Sequence, residues 1–209
     1  MDLNRLMRPL LPVVVVAFAA AGCTSSDDSD DTASGEDTQQ QTEEDAASPL
    51  EGVTEPVELE IEPPAGFALD EELQRDVPMS EALNNYSFRL EGGDESAIIQ
   101  VSAYVLDEAV DDSDYRGAVE YINAYDAEVG HEYEVENDRG TVAHGRAGIG
   151  MLTGFEQDGT ALVQQNHYFF EASHAIQVTC QWSNADFTAV YDGCQSVLSS
   201  LPFPDGWTA

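Results

Sequence analysis

The segment from Ala175 to Pro202 limits the fold more than any other stretch of the chain. In Ala175–Trp182 the apolar residues Ile176, Val178, Cys180 and Trp182 alternate with Gln177, Thr179 and Gln181, the period of a strand. From Ala185 to Leu201 the period changes. Phe187, Val190, Tyr191, Cys194, Val197, Leu198 and Leu201 recur at the spacing of one helical face, and Pro202 ends the run. A strand and a helix, each with one apolar side and joined by a short connection, must bury those sides in one core. The chain therefore ends in a helix laid on a sheet.

Cys180 and Cys194 stand on these two apolar sides, 14 residues apart. In an oxidising compartment the expected outcome is a strand-to-helix disulfide, the alternative being two reduced, buried thiols. Closing a loop of this length contributes about 3 kcal/mol on the chain-entropy model.

Upstream, the same two periods recur. Val57–Ile61 (VELEI) alternates as a strand and is ended by Pro63-Pro64. Asn85–Leu90 and Ala97–Leu106 read as strands with Gly92-Gly93 in the turn between them. Asp114–Val129 is helical, with Tyr115, Ala118, Val119, Ile122, Tyr125 and Val129 on one stripe and Asp111, Asp112 and Asp114 at its N-terminus. His131–Val135 is a short candidate strand, and Asn137-Asp138-Arg139-Gly140 has turn composition. Thr141–Phe155 is strand-like but rich in glycine, which points to close backbone approach or a bulge rather than phosphate binding, because the next segment is a strand and not a helix. That strand, Thr160–Glu171, carries aromatics on both faces, Phe169 beside His167 on one and Tyr168 with Phe170 on the other. Hairpin succession plus two amphipathic helices gives an α+β domain, an antiparallel sheet flanked by helices. Trp207, beyond the last helix, either closes a groove or packs on the end of the domain.

The N-terminus is an address. Arg5 and Arg8 precede an uncharged, mostly apolar run, Leu10–Ala21. It is too short for the roughly 20 residues of a membrane-spanning helix, and its order of charge, apolar run and small residues is that of a secretory signal. Ala20-Ala21-Gly22-Cys23 resembles the bacterial lipobox, with Ala20 where that family most often has Leu. The resemblance implies that residues 1–22 are a lipoprotein signal peptide, removed by cleavage before Cys23, and that Cys23 is acylated. The chain would then be lipid-anchored to the cell membrane on its extracytoplasmic face. An odd cysteine in a secreted protein needs an explanation, and lipidation supplies one. Residues 23–56 read as the lipidated Cys and a disordered spacer with 11 acids and no bases. Residues 57–209 are the single α+β domain.

Charge excludes some functions. Against 41 Asp and Glu there are 7 Arg and no Lys, for a net charge of −34. The domain at 57–209 holds 29 of the acids and five Arg, so it is near −24 by itself. Such a chain repels nucleic acid and anionic lipid, which leaves the lipid anchor as its route to the membrane. Self-repulsion on this scale is relieved by salt, so a high-ionic-strength habitat is expected. The sequence has no G-x-S-x-G, H-E-x-x-H, S-x-x-K or P-loop. Its histidines, His131, His144, His167 and His174, lack the spacing of a compact metal motif. His144 and His167 fall on neighbouring expected strands and either meet across a pair or stand on a solvated face. No catalytic, cofactor-binding or metal-binding residues are expected, and no cofactor.

The order of elements resembles the Mog1/PsbP-like fold, and more narrowly the small secreted actinobacterial lipoproteins of the LpqN/LpqT type. Pro64-Ala65-Gly66-Phe67 after the first strand, the central helix at Asp114–Val129 and the terminal strand–helix pair through Leu201-Pro202-Phe203 carry the resemblance, which covers residues 57–203. It implies a sheet sandwiched by helices and a non-enzymatic binding or assembly module, expected as a monomer, for a protein or envelope partner. The alternative is a small-molecule or lipid carrier with a pocket between sheet and helices.

Overall fold

A computed structural model describes residues 48, 50–73, 83–111, 114–129 and 135–207. Cys23, the signal and most of the spacer, and His131 lie outside the described residues.

Seven strands form one antiparallel sheet. β1 (Phe67–Leu69), β2 (Leu83–Leu90) and β3 (Ile98–Val105) make a meander; α1 (Tyr115–Val129) follows. A second meander runs through β4 (Val135–Ala143), β5 (Arg146–Gln157), β6 (Thr160–Glu171) and β7 (His174–Ser183), and α2 (Phe187–Ser200) closes the chain. The strand order is β1-β2-β3-β7-β6-β5-β4, so β7 joins the two meanders by pairing with β3. The α+β architecture agrees with the sequence reading, a sheet with a helix on each face.

Cross-strand partners share a face. On one face Ile99, Val101, Ile176, Val178 and Cys180 meet Val190, Cys194, Val197 and Leu198 of α2 in the larger core. Gly193 lets α2 sit this low, since a Cβ there would lie 2.7 Å from the Phe67 ring and 2.9 Å from Ile99 Cδ1. On the other face Ala118 and Ile122 of α1 pack with Tyr104, Ile149, Met151, Tyr168 and Phe170. Asp114 caps α1 by accepting the Gly117 N–H at 3.1 Å. Tyr115, expected on the buried stripe, is exposed, and Tyr121 packs against Phe170 instead.

Three expectations need correction. Val57–Ile61 is not a strand of the sheet. Its backbone is held by side chains, the Asn84 amide donating to the Val57 carbonyl at 3.0 Å and the Leu59 N–H to the Tyr86 hydroxyl at 3.2 Å. The packed chain also begins ahead of residue 57, because Leu50 is buried in the larger core. Asn137–Gly140 lies within β4 rather than in a turn. The reversal falls at His144-Gly145, with φ of 46° and 86°, a two-residue turn whose twist suits a hairpin. Gly148 fulfils the close-approach reading: a Cβ there would lie 2.6 Å from the Phe169 ring.

Candidate functional site

Cys180 and Cys194 form a disulfide, with Cα atoms 6.1 Å apart. Both are fully buried, so they belong to the framework and offer no thiol for chemistry. The three described histidines do not converge. His144 is exposed in the β4–β5 turn, whereas His167 is buried on β6 with Nδ1 2.7 Å from the Thr141 hydroxyl. His174, also buried, has Nε2 3.2 Å from the Glu55 carbonyl. Among the described residues no group of three or more His, Cys, Asp or Glu side chains is placed to hold a metal ion. Trp207 takes the packing option, its ring 5.6 Å from that of Phe203 and 5.1 Å from the Arg146 guanidinium.

The feature that sequence reasoning missed lies on the α1 face. Gln177, Thr179 and Gln181 of β7 share this face with Gln164 and Asn166 of β6 and with Gln100 and Ser102 of β3. The alternation in β7 signalled that these residues stand together. It did not signal that Gln177 and Thr179 are completely buried. Buried amides and hydroxyls must pair, and these do so in a chain. The Tyr104 hydroxyl donates to Gln177 Oε1 at 3.2 Å. The Gln177 amide donates to Asn166 Oδ1 at 3.2 Å, and the Thr179 hydroxyl donates to the same oxygen at 2.6 Å. Asn166 Nδ2 donates to Gln164 Oε1 at 3.1 Å, and Gln164 Nε2 to Gln181 Oε1 at 3.3 Å. Gln181 ends the chain at the Ser96 carbonyl, 3.3 Å away. A parallel branch runs from Gln100 Nε2 to the Ser87 hydroxyl at 3.0 Å, which donates to the Leu73 carbonyl at 2.7 Å.

This polar ladder leads from the α1 core to an open cleft of about 370 Å³ at the opposite end of the same face. Ile98, Leu162 and Gln181 form its floor, and the β2–β3 and β5–β6 turns supply Asp94, Glu95, Ser96 and Asp158 as its walls. Asp94 is held below the usual carboxylate range by the Ser96 N–H at 2.9 Å and then by the Ser96 hydroxyl at 2.7 Å. Arg89 also lines the cleft, but its Nε donates to Asp70 at 2.8 Å and Nη1 to the Glu95 carbonyl. That hydrogen bond, with the guanidinium charge, keeps the Asp70 carboxyl low as well.

The walls are thus anionic and the floor mixed polar and apolar. By contrast, the gap between α1 and the sheet, ringed by Tyr104, Tyr121, Ile122, Tyr168 and Phe170, measures only about 10 Å³. That is room for about one water molecule at most and far too small for an acyl chain. The aromatic face of β6 is therefore covered by a helix, Tyr168 and Phe170 lying parallel with centroids 6.3 Å apart.

No protein-family model matches the chain, and no curated protein matches it. Among solved structures it is similar to PA94, a protein of unknown function from Pseudomonas aeruginosa, with a TM-score of 0.41 and 11% identity over 66% of this chain and 98% of that one. It is also similar to LpqN of Mycobacterium tuberculosis, described as involved in cell envelope biogenesis, with a TM-score of 0.42 and 9% identity over 71% of this chain and 83% of the other.

Proposed function

We propose that the chain is a non-enzymatic binding or assembly module of the cell envelope, of the LpqN/LpqT lipoprotein type, anchored to the extracytoplasmic face of the membrane through lipidated Cys23. The observation that carries the binding role is the open cleft of about 370 Å³ at the end of the polar ladder. Its walls come from two hairpin turns and its floor from the ends of the central strands β3, β6 and β7, the arrangement by which a scaffold presents recognition groups. Among the described residues no helix is long and apolar enough to cross a membrane; the tether in this reading is the N-terminal segment ending in Cys23. An apolar-ligand carrier is the weaker reading, because the α1–sheet gap has no room for such a ligand.

The test is site-specific photocrosslinking in intact cells, with the reactive side chain at Thr160 on the cleft wall. Adducts that disappear when Gln181→Trp fills the cleft support the reading, and adducts indifferent to that substitution refute it. In parallel, Cys23→Ser should release the protein from the membrane fraction; retention there would remove the lipid anchor from the proposal.

A further inference from the structure

We infer that the cleft end of the sheet docks a cationic polypeptide segment, whose Lys or Arg side chains enter the carboxylate-walled cleft and lie over the rings of Phe187 and Tyr191. The inference rests on the binding-module reading and adds the chemical class of the partner.

Two features flank the same end of the sheet, the cleft on the α1 face and an aromatic pair on the α2 face, with the β2–β3 turn between them. The first is the cleft, where Asp94, Glu95 and Asp158 face the solvent-filled space and Arg89, the one guanidinium among its described lining residues, is engaged by Asp70. The second is an aromatic pair on the first turns of α2. Phe187 and Tyr191 are 47% and 39% exposed. Their centroids are 5.6 Å apart, and Phe187 is backed at 5.6 Å by Trp182, whose buried ring fixes it in place. The Asp94 N–H donates to the Asp186 carboxylate at 3.1 Å, so the cleft wall is tied to the residue immediately before Phe187.

Both features select for the same charge. Carboxylates attract cations directly, and the negative face of an aromatic ring attracts them through its quadrupole. The surrounding domain, near −24, steers a basic partner toward this rim and repels an acidic one. A neutral glycan would gain nothing from that field. The occupant must also reach both the cleft and rings that stand outside it, which a chain carrying several cationic side chains does and a single small amine does not.

The experiment is an NMR titration of the isotope-labelled full chain with a ten-residue peptide alternating Arg and Gly, at low and at high NaCl, with maltohexaose as the neutral competitor class. The acidic spacer also attracts the peptide, so the readout is residue-resolved and compared with Phe187→Ala/Tyr191→Ala and, separately, Glu95→Gln/Asp158→Asn. The expected result is peptide-induced shifts at Asp94–Ser96, Asp158 and Phe187–Tyr191 that weaken as salt rises. The aromatic double variant should lose roughly 5–30-fold in affinity, the equivalent of two exposed cation–π contacts at about 0.5–1 kcal/mol each. Equal affinity for the variants, or shifts spread evenly over acids away from the rim, overturns the inference. Shifts at the rim with maltohexaose but not with the peptide overturn the cationic class and leave the binding module standing. A rim that responds to neither ligand, and to no crosslinked partner in cells, sinks both.

Discussion

Asn166 is the residue on which the polar ladder depends most, and replacing it with Leu tests whether that ladder is closed to water. Asn166 is 1% exposed and makes three of the ladder's bonds. Its Oδ1 accepts from the Thr179 hydroxyl at 2.6 Å and from Gln177 Nε2 at 3.2 Å, and its Nδ2 donates to Gln164 Oε1 at 3.1 Å. Leu has a similar branched shape and none of these polar atoms. Gln164 is only half-buried, so its carbonyl can turn to water. Gln177 and Thr179 are completely buried, and each loses an acceptor. At about 1–3 kcal/mol for each of these two groups, Asn166→Leu should destabilise the fold by roughly 2–6 kcal/mol. For a domain of this size that corresponds to a melting-temperature drop of roughly 4–24 °C. Urea unfolding followed by circular dichroism should show the midpoint falling with an unchanged slope. Because Gln177 Nε2 also donates to the Thr179 hydroxyl at 3.3 Å, combining Asn166→Leu with Thr179→Val should depart from additivity, with a coupling of about 0.5–3 kcal/mol. A single variant within about 0.5 kcal/mol of the parent, or strictly additive losses in the pair, would mean that water reaches these groups and the ladder is not a dry network.

Three further outcomes are expected. Reducing the Cys180–Cys194 bond in the intact chain should lower stability by about 3 kcal/mol on the loop-entropy model, seen as an earlier urea midpoint; coincident curves with and without reductant would contradict it. The melting temperature should rise between ~0.05 and ~1 M NaCl as the repulsion among the domain's acids is screened, and a flat or falling trend would remove the high-salt reading of the composition. The Asp70 carboxyl is depressed by Arg89, so the stability it contributes is complete above its unfolded value near 3.8 and is lost as pH falls through its lower folded value. The stability gap between the parent and Arg89→Gln should therefore be constant above about pH 5 and shrink below about pH 4, whereas a gap that widens on acidification would reverse the assignment.

The terminal strand–helix pair was the most legible part of the fold. Its two periods placed Cys180 and Cys194 on facing apolar sides, and the structure joins them. Legibility failed where pairing partners or coverage decide the outcome. VELEI has the strand period, yet its backbone is satisfied by the side chains of Asn84 and Tyr86, and no local pattern announces such partners. Asn137–Gly140 has turn residues, but pairing with β5 overrides that local preference and moves the reversal to His144, which adopts a positive φ without the usual Asn or Asp. The cleft was invisible for a related reason. Its walls come from turns far apart in sequence, Asp94–Ser96 and Gln157–Thr160, brought together by β3, β7 and β6 lying side by side. Polar alternation in β7 reads as a solvated face unless the covering layer is known, and periodicity alone does not specify that layer.

The buried amides also bear on the acidity. A domain with 29 carboxylates has few options for the part of the sheet between the α1 core and the cleft. Burying a carboxylate there would cost several kcal/mol unless a cation came with it, and the domain has only five arginines. Neutral amides and hydroxyls avoid that penalty, because partners satisfy them almost as well as water does. They also grade the face, from the apolar residues under α1 to the cleft, where Gln181 lies beside the already buried Ile98 and Leu162. A partner entering the cleft therefore exchanges hydrogen bonds with a pre-ordered floor and gains little from apolar burial there. Its affinity must come from the charges on the walls and the rings beside them, which makes ionic strength, more than the shape of the cavity, the variable that governs occupancy.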